Sequence, residues 1–231
     1  MSMYEKIMIV NTSHHQFDGF DKETGLWLSE LVHFYDVFHN DPDYQVDLYN
    51  IKGGETPLDP VSLNRVTLDT LSRSYYENNV FMHKLKHLPA VSEADPSQYD
   101  VIYFTGGHGV MYDFTGNPYI EEAVNTIYDN GGIISSVCHG TCALLEVKRP
   151  NHRFFIDGKT LTGFSNVEEI LANRKKYVPF ALETALKVKE AKYRKSKIPM
   201  KGYIEVEGQL ITGQNPASAK LVAQAVKEAL A

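Results

Sequence analysis

Two cysteines in 231 residues cannot staple a fold. Cys138 and Cys142 also lack the partner spacing of a zinc finger or ribbon, so stability has to come from a buried core. No apolar run is long enough to span a bilayer, and the opening Met1-Ser2-Met3-Tyr4-Glu5-Lys6 holds no signal-like apolar stretch. The expected setting is therefore soluble and cytoplasmic, with no membrane partner. A basic surplus is absent too: the net charge is −6. The lysines and arginines of residues 187–201 are interleaved with glutamate and apolar positions, which reads as a solvated face and excludes a nucleic-acid footprint. No repeat, linker or low-complexity segment interrupts the chain. With 43% hydrophobic residues, residues 1–231 are expected to form one domain.

What the chain does have is an alternation of apolar strands and amphipathic helices. Residues 6–12 (KIMIVNT), 44–51 and 99–105 read as strands, the first and last as central parallel strands covered on both faces. Thr24 is expected to cap a helix whose apolar positions Leu28, Leu31, Val32, Tyr35 and Phe38 recur at helical spacing. Asn117-Pro118 opens a second helix and Pro216 the last. A mostly polar, helical excursion over 62–88 carries His83 and His87 at i,i+4, but with no third ligand they read as solvated. Turns at Asp157-Gly158 and Glu207-Gly208 predict two hairpins. The sum is an α/β fold: a doubly wound, mostly parallel sheet sandwiched by helices, with small hairpin additions.

The residues 131–140 (GGIISSVCHG) form an apolar strand that runs into Cys138, His139 and Gly140 before a helix begins. Such an abrupt turn forces a sparsely populated backbone conformation, tolerated where function requires it, and Gly140 supplies the room. A thiol at that corner faces the N–H groups of the helix start, which stabilise thiolates and oxyanions. His139 is then a base or proton carrier that needs a carboxylate to orient its ring. The plainer reading is a buried cysteine beside a capping histidine; the strand-to-helix setting favours a nucleophile. Cys142 reads as a small core residue.

Gly106-Gly107-His108-Gly109 ends the preceding strand, so one βαβ unit brings it to the same sheet edge as Cys138. Its N–H groups are candidates for half of an oxyanion hole. His14 and His15 leave the first strand at that edge and are candidate substrate contacts. Glu30, on the apolar flank of its helix, is either a mis-faced surface residue or a tuned acid. Ser165-Asn166-Val167-Glu168-Glu169 is a capped helix start. Its glutamates offset the helix dipole, or one of them orients His139.

Taken in order, Thr24-Gly25-Leu26-Trp27-Leu28-Ser29-Glu30, the glycine loop with Asp113, Val137-Cys138-His139-Gly140, Thr162-Gly163-Phe164-Ser165-Asn166 with Glu168-Glu169, and Thr212-Gly213-Gln214-Asn215-Pro216-Ala217-Ser218 resemble the ThiJ/PfpI superfamily. Within that superfamily, related to class I glutamine amidotransferases, they are similar to the branch of glyoxalase III and holding-chaperone proteins. The resemblance implies a flavodoxin-like fold and a nucleophilic Cys138 with His139 as acid/base. The orienting acid is best matched by Glu169, with Glu168 as the alternative, and Glu30 is hydrogen-bonded to the thiol. Oxyanion donors are implied at Gly106 or Gly107 and on the His139 backbone, with His108 beside the substrate. Some relatives carry a site of two histidines and a carboxylate, but no metal and no cofactor is assigned here. The implied activity is glutathione-independent conversion of methylglyoxal-type 2-oxoaldehydes to 2-hydroxy acids, with apparent deglycase activity beside it. The alternatives are a stress-induced holding chaperone, a cysteine amidase or peptidase, and a redox sensor. Implied partners are the small 2-oxoaldehyde, unfolded or glycated proteins, and a second copy of the chain in a homodimer.

Overall fold

Ile7, Met8, Ile9 and Val10 are all inaccessible to solvent. Four consecutive buried residues cannot belong to a strand with one wet face, and they lie in the middle of the sheet. The structure, a computed structural model, describes residues 4–231. In chain order it contains β1 (Glu5–Asn11), α1 (Leu28–Phe38), β2 (Tyr44–Asn50), α2 (Thr70–Tyr76), α3 (Asn79–Leu85), β3 (Val101–Phe104), α4 (Val110–Asp113), α5 (Pro118–Asp129) and β4 (Ile133–Val137). A 3₁₀ helix, Cys138–Leu144, then leads to β5 (Thr160–Leu161), α6 (Asn166–Leu171), α7 (Leu182–Val188), β6 (Lys192–Tyr193), β7 (Ile204–Glu207), β8 (Leu210–Gly213) and α8 (Ala219–Leu230).

The main sheet runs β2-β1-β3-β4-β8-β7. Every neighbouring pair is parallel except β7 with β8, the hairpin at Glu207-Gly208. α1 and α8 pack on each other, α8 also covers β4 and β8, and α5 packs on β3 and β4. This is the doubly wound, mostly parallel architecture expected from the alternation. Its apolar side chains form a continuous cluster from Ile7 to Val226.

Two local expectations fail for physical reasons. The Asp157-Gly158 turn forms, with Gly158 at φ +73°, but no hairpin flanks it. Phe155 and Ile156 are buried, with Phe155 packed edge-on against Tyr128 of α5. Burying both consecutive residues removes the alternation a hairpin strand needs, and β5 pairs in parallel with β6 instead. Thr24 does not cap α1. That helix starts at Leu28 with no side-chain cap, while the Thr24 hydroxyl donates to Asp59 Oδ2 at 3.1 Å. At the elbow, the strained residue and the glycine that supplies the room are distinct, as expected. The left-handed residue is Cys138 itself, at φ +57°. Gly140 is needed for close approach, because a Cβ there would run into the carbonyl oxygens of Phe104 and Thr105 at the end of β3.

β1, β3 and β4 thus end along one edge, as ligand sites of open α/β sheets require. The carboxylate of Asp113 ties two of these ends together, accepting from the Thr12 hydroxyl at 2.9 Å and the Ser13 N–H at 2.8 Å. Gly140→Ala should prise the elbow away from β3 and lower the unfolding free energy by about 1–3 kcal/mol or more, as overpacking does. Urea denaturation monitored by circular dichroism tests this; an unchanged midpoint would show the contact to be slack.

Candidate active site

At the end of β4 the backbone of Cys138 enters the left-handed region, which side chains other than glycine rarely adopt and which is kept where the surroundings over-determine it. The turn lays the thiol beside its neighbour: Cys138 Sγ lies 3.3 Å from His139 Nδ1. The other ring nitrogen, Nε2, is 2.6 Å from Glu169 Oε2. An ionised carboxylate only accepts, so His139 carries its proton on Nε2 and turns the Nδ1 lone pair to the sulfur.

The two adjacent glutamates separate cleanly. Ser165 caps α6, and Glu168 closes the capping box by accepting from the Ser165 N–H at 2.9 Å. Glu168 also accepts from the Met200 N–H at 2.8 Å and the Asn215 amide at 2.9 Å. One residue on, Glu169 turns toward both histidines, because consecutive positions on a helix point about 100° apart. Burial alone would raise the Glu169 carboxyl, but His139 and the hydrogen bonds from both rings outweigh it and hold the group well below the ordinary range.

The second ring is His108. Its Nε2 is 2.6 Å from Glu169 Oε1 and its Nδ1 is 3.2 Å from Arg174 Nη1. Burial and the neighbouring His139 push His108 down to about 4, so at neutral pH it is an uncharged ring, donating to Glu169 and accepting from Arg174. Arg174 in turn forms a buried, two-pronged ion pair with Asp59. Asp59 also accepts from the Val61 N–H at 2.9 Å and from Thr24. Sequence reading placed His108 at this edge as a substrate neighbour but missed its ring contact with Glu169, and it missed Asp59 and Arg174 altogether.

Among the described residues, His108, His139 and Glu169 are the group with donor atoms close enough to share a cation. They suit one poorly. Each ring already meets its own oxygen of a single carboxylate at hydrogen-bond distance, and the Arg174 charge presses on His108 from behind. The set works better as a proton-holding relay.

Glu30 reaches the sulfur from the opposite side. It is wholly buried, and neither carboxyl oxygen meets a partner at full hydrogen-bond geometry. Burial therefore dominates its weaker contacts with the Cys138 thiol and the Gly106 N–H, and pushes the carboxyl up to about 8. Glu30 is protonated at neutral pH. The helix-end stabilisation of a free thiolate expected from the sequence does not prevail: burial first, and the proximity of Glu30 second, raise the Cys138 thiol well above its usual value, while the His139 N–H pulls the other way. The sulfur is a thiol that ionises when its proton has somewhere to go.

A pocket of about 170 Å³ opens above the sulfur, lined by Trp27, Gly107, His108, His139, Phe164 and Met200 among others. It is small beside the several hundred Å³ that drug-sized ligands fill. Gly107 lines it; Gly106 does not, its N–H being turned toward Glu30. Among the described residues nothing accepts from the Gly107 N–H. His14 and His15 lie outside the lining, and the His14 ring stacks on Tyr112 at 4.4 Å. A larger hollow of about 330 Å³ near Gly116 and Glu146 holds no comparable cluster.

A sequence profile of the DJ-1/PfpI family matches residues 30–229. Glyoxalase 3 of Candida albicans is 28% identical over 229 residues, covering 96% of each chain. The glutathione-independent glyoxalase hsp3101 of Schizosaccharomyces pombe is 27% identical over 236 residues, covering 97% of this chain and 96% of its own. Among solved structures, Rapid Encystment Protein 24 KDa of Francisella tularensis superposes with a TM-score of 0.94 at 36% identity, covering 98% of this chain and 99% of that one.

Two stability measurements probe this site. A buried acid raised from 4.5 to about 8 stabilises most below 4.5, and that contribution is lost as pH rises through about 8. Wild type should therefore lose stability relative to Glu30→Gln between those values, by up to about 1.4 kcal/mol per pH unit; a pH-independent difference in urea midpoints would show Glu30 to be ionised. Arg174→Met should cost about 3–5 kcal/mol by stranding the Asp59 charge, and Arg174→Met/Asp59→Asn should cost less. Equal losses in the single and double variants would rule out an uncompensated charge as the cause.

Proposed function

Since the chain belongs to the DJ-1/PfpI family, we propose that it is a glutathione-independent glyoxalase that hydrates methylglyoxal-type 2-oxoaldehydes to 2-hydroxy acids at Cys138. The observation that carries the reading is the line Cys138–His139–Glu169 at 3.3 and 2.6 Å beneath a small apolar pocket. Near-full-length likeness to proteins named as glyoxalases gives it a substrate class.

In this reading the thiol gives its proton to His139 Nδ1 as sulfur adds to the aldehyde carbon, the better electrophile of the two carbonyls. The alkoxide so formed lies against the N–H groups of Gly107 and His139, then takes the proton back to give a hemithioacetal. His139, neutral again, removes the hydrogen from that carbon and returns it to the adjacent ketone carbon through an enediol, which leaves a thioester. Water cleaves the thioester, restores the thiol and releases the acid. The aldehyde carbon is oxidised and the ketone carbon reduced within one molecule, so the balance is substrate plus water and no external electron acceptor is consumed. Glu169 stabilises the imidazolium at each stage. Protonated Glu30 donates toward the sulfur when it carries charge. Peptide hydrolysis is disfavoured, because the sulfur lies at the floor of a pocket of about 170 Å³ with Cys138 only 3% exposed, which leaves no cleft for an extended chain.

The test is product analysis by NMR. Metal-free protein incubated with methylglyoxal and no glutathione should yield lactate, and Cys138→Ala should yield none while keeping the wild-type circular dichroism. Glu169→Gln should retain turnover reduced by about 10²–10⁴-fold, the usual worth of acid–base assistance. Lactate formation by Cys138→Ala at the wild-type rate would remove the covalent route.

A further inference from the structure

Beside the Cys138 pocket lies a second hollow of about 310 Å³, into which Ser29, His33 and Asp69 project. Trp27, Thr67, Met200 and Pro216 line both spaces and form the partition between them. Three parts of that partition are fixed. The Trp27 N–H is bonded to the Gly106 carbonyl at 3.2 Å, the Thr67 hydroxyl is bonded to the Val61 carbonyl, and Pro216 opens the 3₁₀ turn before α8. Met200 differs. Its backbone is left-handed, at φ +62°, and its N–H is held by Glu168, but the residue is 47% exposed and its unbranched side chain has three rotatable bonds.

The two spaces differ in chemistry. The inner pocket is lined mostly by apolar groups and suits the dicarbonyl end of a substrate. In the outer hollow His33 Nε2 and Asp69 Oδ2 are hydrogen-bonded at 2.9 Å, and the Asp69 carboxylate also caps α2 by accepting from the Ser72 N–H at 2.9 Å and the Ser72 hydroxyl at 3.0 Å. A carboxylate, an imidazole and a hydroxyl on one wall are acceptors and donors of the kind that bind vicinal hydroxyls, and nothing in the reaction at Cys138 uses them. Resting on the glyoxalase reading, we propose that this hollow is a second subsite, entered past Met200, that binds the hydroxylated tail of sugar-derived 2-oxoaldehydes of five or six carbons. The aldehyde end reaches Cys138 while the tail hydroxyls bond to Asp69, His33 and Ser29.

The single tryptophan of the chain, Trp27, borders both spaces, so its fluorescence reports their occupancy without turnover. Titrating the Cys138→Ala protein with 3-deoxyhexos-2-ulose and with methylglyoxal should show the six-carbon compound binding at least tenfold more tightly. His33→Leu and Asp69→Ser, the latter keeping a capping hydroxyl for α2, should bring that ratio close to one in the same background. Met200→Ala should raise it by widening the passage. Equal affinities for the two compounds, or a ratio unmoved by both His33→Leu and Asp69→Ser, would overturn the subsite. Because the measurement reads binding alone, its failure is distinct from a failure to form lactate, which would strike the glyoxalase reading instead.

Discussion

One carboxylate holds the candidate site together. Each oxygen of Glu169 takes a different imidazole, and that sharing fixes two ring orientations and two tautomers at once. Without its negative charge, the Nδ1 lone pair of His139 would have no reason to face the sulfur, and His108 would have no reason to stand between Glu169 and a buried guanidinium. A buried anion of this kind persists only when it is fully hydrogen-bonded. The arrangement at Asp59, Arg174 and His108 can be read as the scaffold that keeps the second ring in place for it. The fold's contribution is to bring four distant segments to one sheet edge, where β1, β3 and β4 all stop.

The charges on either side of the sulfur are deliberately unequal. On one side stands an ionised carboxylate beside an imidazole; on the other, Glu30 is kept neutral by its burial. Two carboxylates near one thiol would oppose its ionisation if both were charged. Withholding water from one and giving hydrogen-bond donors to the other separates their states without any change of residue type.

Much of this was readable from residue order. Ile7-Met8-Ile9-Val10 has no polar face to offer solvent, so β1 had to be central. Ser165 with a glutamate three positions on announces the start of α6. The strand that runs into Cys138 brings thiol and imidazole together through adjacency alone. What remained hidden depends on contacts far apart in the chain. Asp59 sits between Pro57 and Pro60, and Arg174 stands at the head of an Arg-Lys-Lys run; nothing local links them, and their pairing spans 115 positions. Local pattern also could not choose between Glu168 and Glu169, since either is compatible with a capped helix. Only the position of the histidines relative to the helix axis separates the capping residue from the one facing the rings. At Asp157-Gly158 the turn chemistry was right and the flanking strands were not, because the core claimed Phe155 and Ile156 first.

The pinned state of His108 bears on the handedness of the product. Both nitrogens of that ring are engaged, one by Glu169 and the other by Arg174, and Glu30 lies behind the sulfur, outside the pocket lining. In the proposed route, His139 is then the proton carrier facing a planar enediol held over Cys138. A proton returned from one side to a planar carbon creates a stereocentre of one configuration. By that route the site would make a single optical isomer, and its enantiomeric purity would depend on how firmly a neighbouring, non-reacting histidine is held still.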